Sequence, residues 1–504
     1  MENKSVAVEL KNITKTFGSH IANDRINLAV HYGEVHGLLG ENGAGKSTLM
    51  NILYGMQRAD SGVILVDGVP RDIRGPNDAM KLGIQMVHQH FMLANPYRAW
   101  ENVVLGEEPR IARFFIDTRK AYAGVERAAA LCNFKVDPHQ VVEQMPVALR
   151  QKLEIVRALY RQCNILILDE PTAVLSEQES DELLEVMDQL RAEGKAIILI
   201  THKLREAMKI CDTITVLRRG CVVETQSVQE VTPASLAISM VGRPVLFELP
   251  ERTLMQNEVS LDFQNVTTGT TKKDIRDMSF TIHKGEIFGI AGVEGNGQAA
   301  LVESILGLKK VVQGEIVLNG RKITRVPTKK RTGKIAHIAE DRHAQGYIGS
   351  FSIKENVYLG RQDEPAFRKG NLVNSQALEK AAREIIDRFD VRVASIMQPA
   401  GDLSGGNQQK LVIGREFTKP DIEIVIAEHP SRGLDIASSE YTQQCLIRMR
   451  NQGKSVLLIT ADLDELLSVS DRIGVLYEGK MVATGVPDDF PARKLGLYMT
   501  GGQL

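Results

Sequence analysis

The chain repeats itself. Gly33-Glu34-Val35-His36-Gly37-Leu38-Leu39-Gly40 recurs as Gly285-Glu286-Ile287-Phe288-Gly289-Ile290-Ala291-Gly292. Farther on, Ala196-Ile197-Ile198-Leu199-Ile200-Thr201 recurs as Ser455-Val456-Leu457-Leu458-Ile459-Thr460. Segment order is the same in both halves and the offset barely drifts, so the repeat is a whole-domain duplication and not a solenoid of short units. A chain of 504 residues gives each copy enough length for a core of its own. We expect domains at 8–243 and 259–503, joined by a Pro-containing linker at 244–258.

Within each copy, short apolar runs bounded by glycine and charge read as buried strands, in the first copy at 35–39, 165–168 and 196–200. Amphipathic stretches between them, such as 180–193, read as helices. Strands alternating with helices predict an α/β fold with a mainly parallel sheet and crossover helices. A helix-rich insert at 118–144 is expected to stand apart from that sheet. A formal net charge of -1 removes the bulk electrostatic argument for nucleic-acid binding. No apolar run reaches the roughly 18 residues of a membrane span, and Met1-Glu2-Asn3-Lys4 opens no signal peptide. Any membrane role is therefore expected to be peripheral. The five cysteines show no CxxC or metal-ligand spacing, as expected of reduced thiols in a cytosolic protein.

Gly40-Glu41-Asn42-Gly43-Ala44-Gly45-Lys46-Ser47-Thr48 fits GxxxxGK[ST] between a strand and a helix expected at 48–54. Backbone N–H groups of such a loop curl around phosphate oxygens at a helix N-terminus, where dipole and unpaired donors favour an anion. Lys46 then reaches the outer phosphates and the Ser47 hydroxyl ligates Mg²⁺. Ile165-Leu166-Ile167-Leu168-Asp169-Glu170 is an apolar strand ending in two carboxylates. Asp169 suits the metal shell, and Glu170 suits a base that polarises the attacking water. His202 follows another buried strand and reads as a phosphate-sensing group. Gln89, in Met86-Val87-His88-Gln89-His90-Phe91, reads as a contact to metal and attacking water, with His88 and His90 structural. Phe17 reads as a platform for adenine, with a core aromatic as the alternative.

Together these residues resemble the ATP-binding-cassette (ABC) ATPases. Leu403-Ser404-Gly405-Gly406-Asn407-Gln408-Gln409 resembles that family's signature segment. The resemblance covers nearly the whole chain, twice. The paired cassettes, the Gly295-Asn296-Gly297-Gln298 variant and Arg432-Gly433-Leu434-Asp435 resemble the ATPases of bacterial monosaccharide and nucleoside importers. The string 86–93 is most similar to nucleoside-type members. The fold implied is two tandem P-loop NTPase domains, each with a small antiparallel β part and a helical subdomain. The cofactors implied are ATP and Mg²⁺. Transmembrane permease subunits and, through them, an extracytoplasmic solute-binding protein are the implied partners, at the cytoplasmic face of the inner membrane. The segment after Gln89, up to about Glu107, would receive the permease, with Pro96, Tyr97 and Trp100 as a docking patch or as core packing.

The family resemblance also implies a head-to-tail pairing in which each ATP lies between one cassette's P-loop and the other's signature. The lesions in the sequence sort by that rule. In the second copy Gln298 replaces the P-loop lysine, Ala299 the metal-binding hydroxyl, His429 the base and Ala461 the sensing histidine. In the first copy the signature has become Met145-Pro146-Val147-Ala148-Leu149-Arg150-Gln151. The site built from Lys46, Glu170 and His202 with Ser404, Gly405, Gly406 and Asn407 is expected to hydrolyse ATP; the other is expected to be non-hydrolysing. The competing class is a tandem ABC ATPase acting in translation, or a nucleotide-binding scaffold. Translation-type members keep both sites intact and carry a long charged linker, which this chain lacks.

Overall fold

The computed structural model describes residues 5–18, 20–88, 91–111, 114–132, 134–172, 175, 177–242, 249–293, 295–370, 372–499 and 501. The chain divides into two compact units, Met1–Val245 and Leu246–Leu504.

In the first unit a six-stranded sheet runs, edge to edge, Cys221–Ser227, Thr213–Arg218, Glu34–Leu39, Ala196–Thr201, Ile165–Asp169, Ile84–Val87. All neighbours are parallel except the antiparallel edge strand Cys221–Ser227. The three central strands are buried at every position, which explains why they read as continuous apolar runs and not as alternation. Each outlasts its predicted range by one residue. A four-stranded antiparallel sheet (His20–His31, Val6–Phe17, Ser61–Val66, Val69–Arg71) packs its inner face into the same core, through Leu10, Ile13 and Ile26 against Leu49 and Met50.

The predicted insert is helical only in part. Thr118–Leu131 is a helix, capped by Asp117 accepting from the Lys120 N–H, and a single 3-10 turn follows at Val142–Gln144. The helices Ala99–Val104 and Val147–Tyr160 pack with it. Trp100 belongs to this packing: it is 9% exposed and its ring lies 5.3 Å from Tyr122. Of the three aromatic and proline positions offered as a docking patch, Trp100 takes the core alternative, while Pro96 and Tyr97 are exposed.

The second unit has the same strand order, with Ile287–Ala291 at the position of Glu34–Leu39, Ser455–Ile459 beside it and Ile424–Glu428 next beyond. Its helical part contains Ser375–Arg388 and Gly405–Phe417. Residues 251–253, inside the expected linker, are fastened to this unit. Arg252 donates to the Ser470 carbonyl at 3.0 Å, and Asn451 donates to the Glu251 carbonyl at 2.8 Å.

Candidate functional site

Parallel register sets the geometry of the site. Thr201 pairs with Leu39, and Ile200 pairs with both Leu38 and Asp169. The three strands therefore end level, and the residues just beyond them gather at one edge: the Gly40–Lys46 loop, Glu170 and His202. This is the carboxyl edge at which open α/β sheets place ligands.

The loop folds around its own lysine. Lys46 is 6% exposed, and its amine donates to the carbonyls of Gly40 at 2.6 Å and Glu41 at 2.9 Å. Gly45 caps the helix Lys46–Leu53 at φ 102°, where a Cβ would also lie 2.3 Å from the Ala22 carbonyl oxygen. Only glycine satisfies both constraints. The helix starts two residues earlier than the sequence suggested, so Lys46, Ser47 and Thr48 form its first turn, with their backbone N–H groups at the dipole's positive end.

Asp169 is 6% exposed. Burial pushes its carboxyl up, opposed by a hydrogen bond from the Ser47 hydroxyl; the Glu170 charge pushes it up further and Lys46 opposes it. Ser47 and Asp169 thus set two oxygen donors side by side. That fits Mg²⁺, which takes few protein oxygens and leaves the remainder of its shell to water and phosphate. Among the described residues no group of three or more His, Cys, Asp or Glu is arranged to hold a metal by itself.

Glu170 has a left-handed backbone, φ 48°, and its N–H donates to the Ile200 carbonyl at 3.0 Å. His202 Nδ1 lies 2.9 Å from Glu170 Oε1. Burial raises the Glu170 pKa, but the His202 hydrogen bond and charge, with Lys46 and Lys203, outweigh it and hold the carboxyl below its usual range. The two residues expected to act separately are thus one hydrogen-bonded pair. Gln89 and His90 lie outside the described residues. His88 meets Tyr54 edge-on at 5.9 Å, a packing contact. Phe17 ends its strand 46% exposed, with the Lys15 amine 5.4 Å from its ring centroid. It is not a core residue.

The second unit keeps the local backbone of this site with other side chains on it. Gly297 caps the helix Gln298–Leu306 at φ 107°, ψ 4°, against 102° and 4° at Gly45. Gln298 Nε2 donates to the Val293 carbonyl at 3.0 Å, so a neutral amide occupies the lysine's place. His429 repeats the left-handed conformation of Glu170 at φ 44°, with its N–H on the Ile459 carbonyl at 2.7 Å. Where His202 meets Glu170, the Ala461 N–H meets His429 Nδ1 at 3.4 Å. Glu428, at the position of Asp169, pairs with His337 Nε2 at 2.7 Å.

The signature segment Ser404-Gly405-Gly406-Asn407 opens the helix Gly405–Phe417. Asn407 Nδ2 donates to Ser404 Oγ at 2.9 Å, and Asn407 Oδ1 accepts from the Arg392 N–H at 2.8 Å. Gly406 is required by packing: a Cβ there would lie 2.2 Å from Ser438 Oγ on the helix Ile436–Asn451. In the first unit the matching helix Val147–Tyr160 begins after Pro146 in place of Ser404, and neither helix has a side-chain cap.

One network went unread in the sequence. Thr172 Oγ1 donates to Glu206 at 2.6 Å, and the Lys203 amine reaches Glu206 at 3.0 Å and the Thr172 carbonyl at 3.0 Å. The signal was the alignment of Thr-His-Lys with Thr-Ala-Asp, which puts Asp462 where Lys203 stands.

A glycine-rich loop on a helix N-terminus, with the Ser47–Asp169 oxygens and a carboxylate–histidine pair at the same sheet edge, defines the first unit as a P-loop ATPase domain, and the second unit repeats its strand order and its loop-to-helix backbone. The family model described as "ABC transporter" matches residues 23–173 and 275–427, and the chain belongs to the ABC transporter family, whose cassettes are ATPases. It is 42% identical over 499 residues to the guanosine import ATP-binding protein NupO of Bacillus subtilis (strain 168), covering 98% of this chain and 97% of that protein. It is 40% identical over 508 residues to the nucleoside import ATP-binding protein NupA of Lactococcus lactis subsp. cremoris (strain MG1363), covering 100% of each. Among solved structures, one titled "RNase-L Inhibitor" shares the two-domain fold at TM-score 0.63 and 16% identity, covering 95% of this chain and 90% of that one.

Proposed function

We propose that this chain is the ATP-hydrolysing motor subunit of an importer for nucleosides, with simple sugars as the second solute class. Full-length identity to nucleoside-import subunits supports the importer class, whereas the likeness to the structure titled "RNase-L Inhibitor" extends to fold alone. Its partners would be transmembrane permease subunits and, through them, a solute-binding protein outside the cell. No helix among the described residues is long and apolar enough to cross a membrane, so attachment would run through the permease.

In this reading the first P-loop is the hydrolytic site. Lys46 and the loop's backbone N–H groups bind the phosphates, and Phe17 packs on the base. Ser47 and Asp169 would hold Mg²⁺, which supplies charge neutralisation at the phosphate oxygens. Glu170, kept ionised and aimed by His202, polarises the attacking water with Gln89 beside it. Ser404, Gly405, Gly406 and Asn407 of the second unit would complete that site, and the second P-loop would be at most a weak, non-hydrolysing nucleotide or closure site. The observation that carries the assignment is the Glu170–His202 pair at 2.9 Å, against His429 and Ala461 at the same places.

The test is steady-state ATPase activity and ATP binding of Glu170→Gln in the assembled membrane complex. We expect turnover to fall by about 10²-fold or more, the span of a general base, with ATP binding retained. Substantial residual turnover overturns the role of Glu170. Failure of any nucleoside to stimulate the complex overturns the solute class.

A further inference from the structure

The peptide of Met92 is gripped on both sides by one helix. Its N–H donates to Glu154 Oε1 at 2.7 Å, and its carbonyl accepts from Arg157 Nη1 at 2.7 Å. The two gripping side chains are themselves paired, Arg157 Nη2 to Glu154 Oε2 at 2.5 Å. Glu154 is 2% exposed, so this is a buried ion pair closed by two backbone hydrogen bonds. Both residues lie on the helix Val147–Tyr160, one turn apart. Two residues on, the Ala94 peptide is held in the same manner by Asn102, whose Oδ1 accepts from its N–H at 2.7 Å and whose Nδ2 donates to its carbonyl at 3.1 Å.

The second unit separates the general from the particular. It keeps the asparagine grip: Asn356 accepts from the Ile348 N–H at 2.8 Å and donates to the Ile348 carbonyl at 3.0 Å. Two residues before Ile348 stands Gly346, and a Cβ there would lie 3.5 Å from Val412 Cγ2. Val412 falls three residues after Gln409, as Glu154 falls three after Gln151. Val412 thus stands where Glu154 does, in the unit with His429 and Ala461 in place of Glu170 and His202, while the position of Arg157 keeps an arginine, Arg415, paired there with Glu416 at 2.9 Å. A fold requirement would be present in both units; the glutamate's part in the grip is confined to the first.

We infer that Glu154 and Arg157 are positioning residues for ATP hydrolysis, fixing the chain at Met92 to the helix Val147–Tyr160. Met92 lies three residues beyond Gln89 in the sequence. Loss of the grip would misplace a water-orienting side chain without touching the P-loop. The inference rests on the first P-loop being the hydrolytic one.

The experiment compares Glu154→Val, Glu154→Gln and Arg157→Gln with wild type in the assembled complex, measuring kcat, KM for ATP, and amide hydrogen exchange across residues 91–94. Glu154→Val installs the second unit's residue and should lower kcat by about tenfold or more with KM within about twofold, as expected of lost alignment rather than lost binding. Glu154→Gln keeps an acceptor for the Met92 N–H and should recover most of the rate. Arg157→Gln removes only the carbonyl's donor and should fall between them, which also serves if Glu154→Val does not fold. Exchange at Met92 should quicken in the order of the rate losses. Wild-type kcat in both Glu154→Val and Arg157→Gln overturns the inference, as does an equal loss in Glu154→Gln and Glu154→Val. Glu170→Gln is the control: if it retains turnover the site reading has failed, whereas its loss beside an active Glu154→Val condemns the positioning role alone.

Discussion

Glu465 offers a quantitative test of how the two units have diverged. It is fully enclosed in the second unit, where Ser431 Oγ donates to it at 2.5 Å and Thr460, Gln443 and Asp462 face it. In the first unit the matching Glu206 has the Lys203 amine at 3.0 Å; here Asp462 stands in that lysine's place. Burial, opposed by the Ser431 hydrogen bond and reinforced by the Asp462 charge, pushes the Glu465 pKa from 4.5 to about 7. A raised folded-state pKa means that the folded chain holds the proton more tightly than the unfolded one. Stability therefore falls as pH rises from about 4.5 to about 7 and is level above that. The shift of about 2.5 pH units corresponds to about 3 kcal/mol at pH 8. Glu465→Gln keeps an acceptor for Ser431 and cannot ionise, so it should lie close to wild type at pH 5 and exceed it by up to about 3 kcal/mol at pH 8. Denaturant unfolding followed by far-UV circular dichroism at both pH values measures this. Fluorescence of the sole tryptophan, Trp100, reports the first unit and should not move. An equal effect at the two pH values, or a loss of stability at pH 8, would refute the reasoning.

Three further outcomes are expected. Gln298→Lys and Ala461→His, made singly, should each leave steady-state ATPase turnover within about twofold, because each restores one lesion among several that act together; a large rise from either would show the second P-loop to be nearly competent. Gly406→Ala should cost about 1–3 kcal/mol of stability through its collision with Ser438, and Ser438→Gly in the same chain should return most of it in thermal unfolding. Phe17→Ala should weaken ATP binding about fivefold or more, on the order of 1 kcal/mol of lost stacking, with kcat little changed.

Much of the sheet and its active edge could be read from sequence because parallel strands buried on both faces must be apolar throughout. Val35 to Leu39 and Ile165 to Leu168 have no other reading that also explains the polar residues at their ends. Helix starts were less legible: the P-loop helix begins at Lys46 because glycine's left-handed turn sets it, a local geometry that apolar periodicity does not report. Trp100 was ambiguous between patch and core, since its partner Tyr122 lies on a different helix. Glu154 and Arg157 were invisible, because on the helix they make an ordinary i,i+3 charge pair whose meaning comes only from the Met92 peptide folded against it. The pairing of Glu170 with His202 likewise depends on strand register, which the sequence does not state.

The left-handed turn shared by Glu170 and His429 bears on the history of the duplicated gene. The second copy holds a non-glycine residue in the same costly backbone conformation, although its side chain is an imidazole and not an acid. The two sites differ in a few side chains laid over the same local turns. On the proposed reading, making the second like the first would need several changes at once, at 298, 299, 429 and 461 in one copy and 146 and 148 in the other, and no single change among these is expected to bring a gain for selection to hold. The difference is in that sense ratcheted, with no path of graded steps between the two sites.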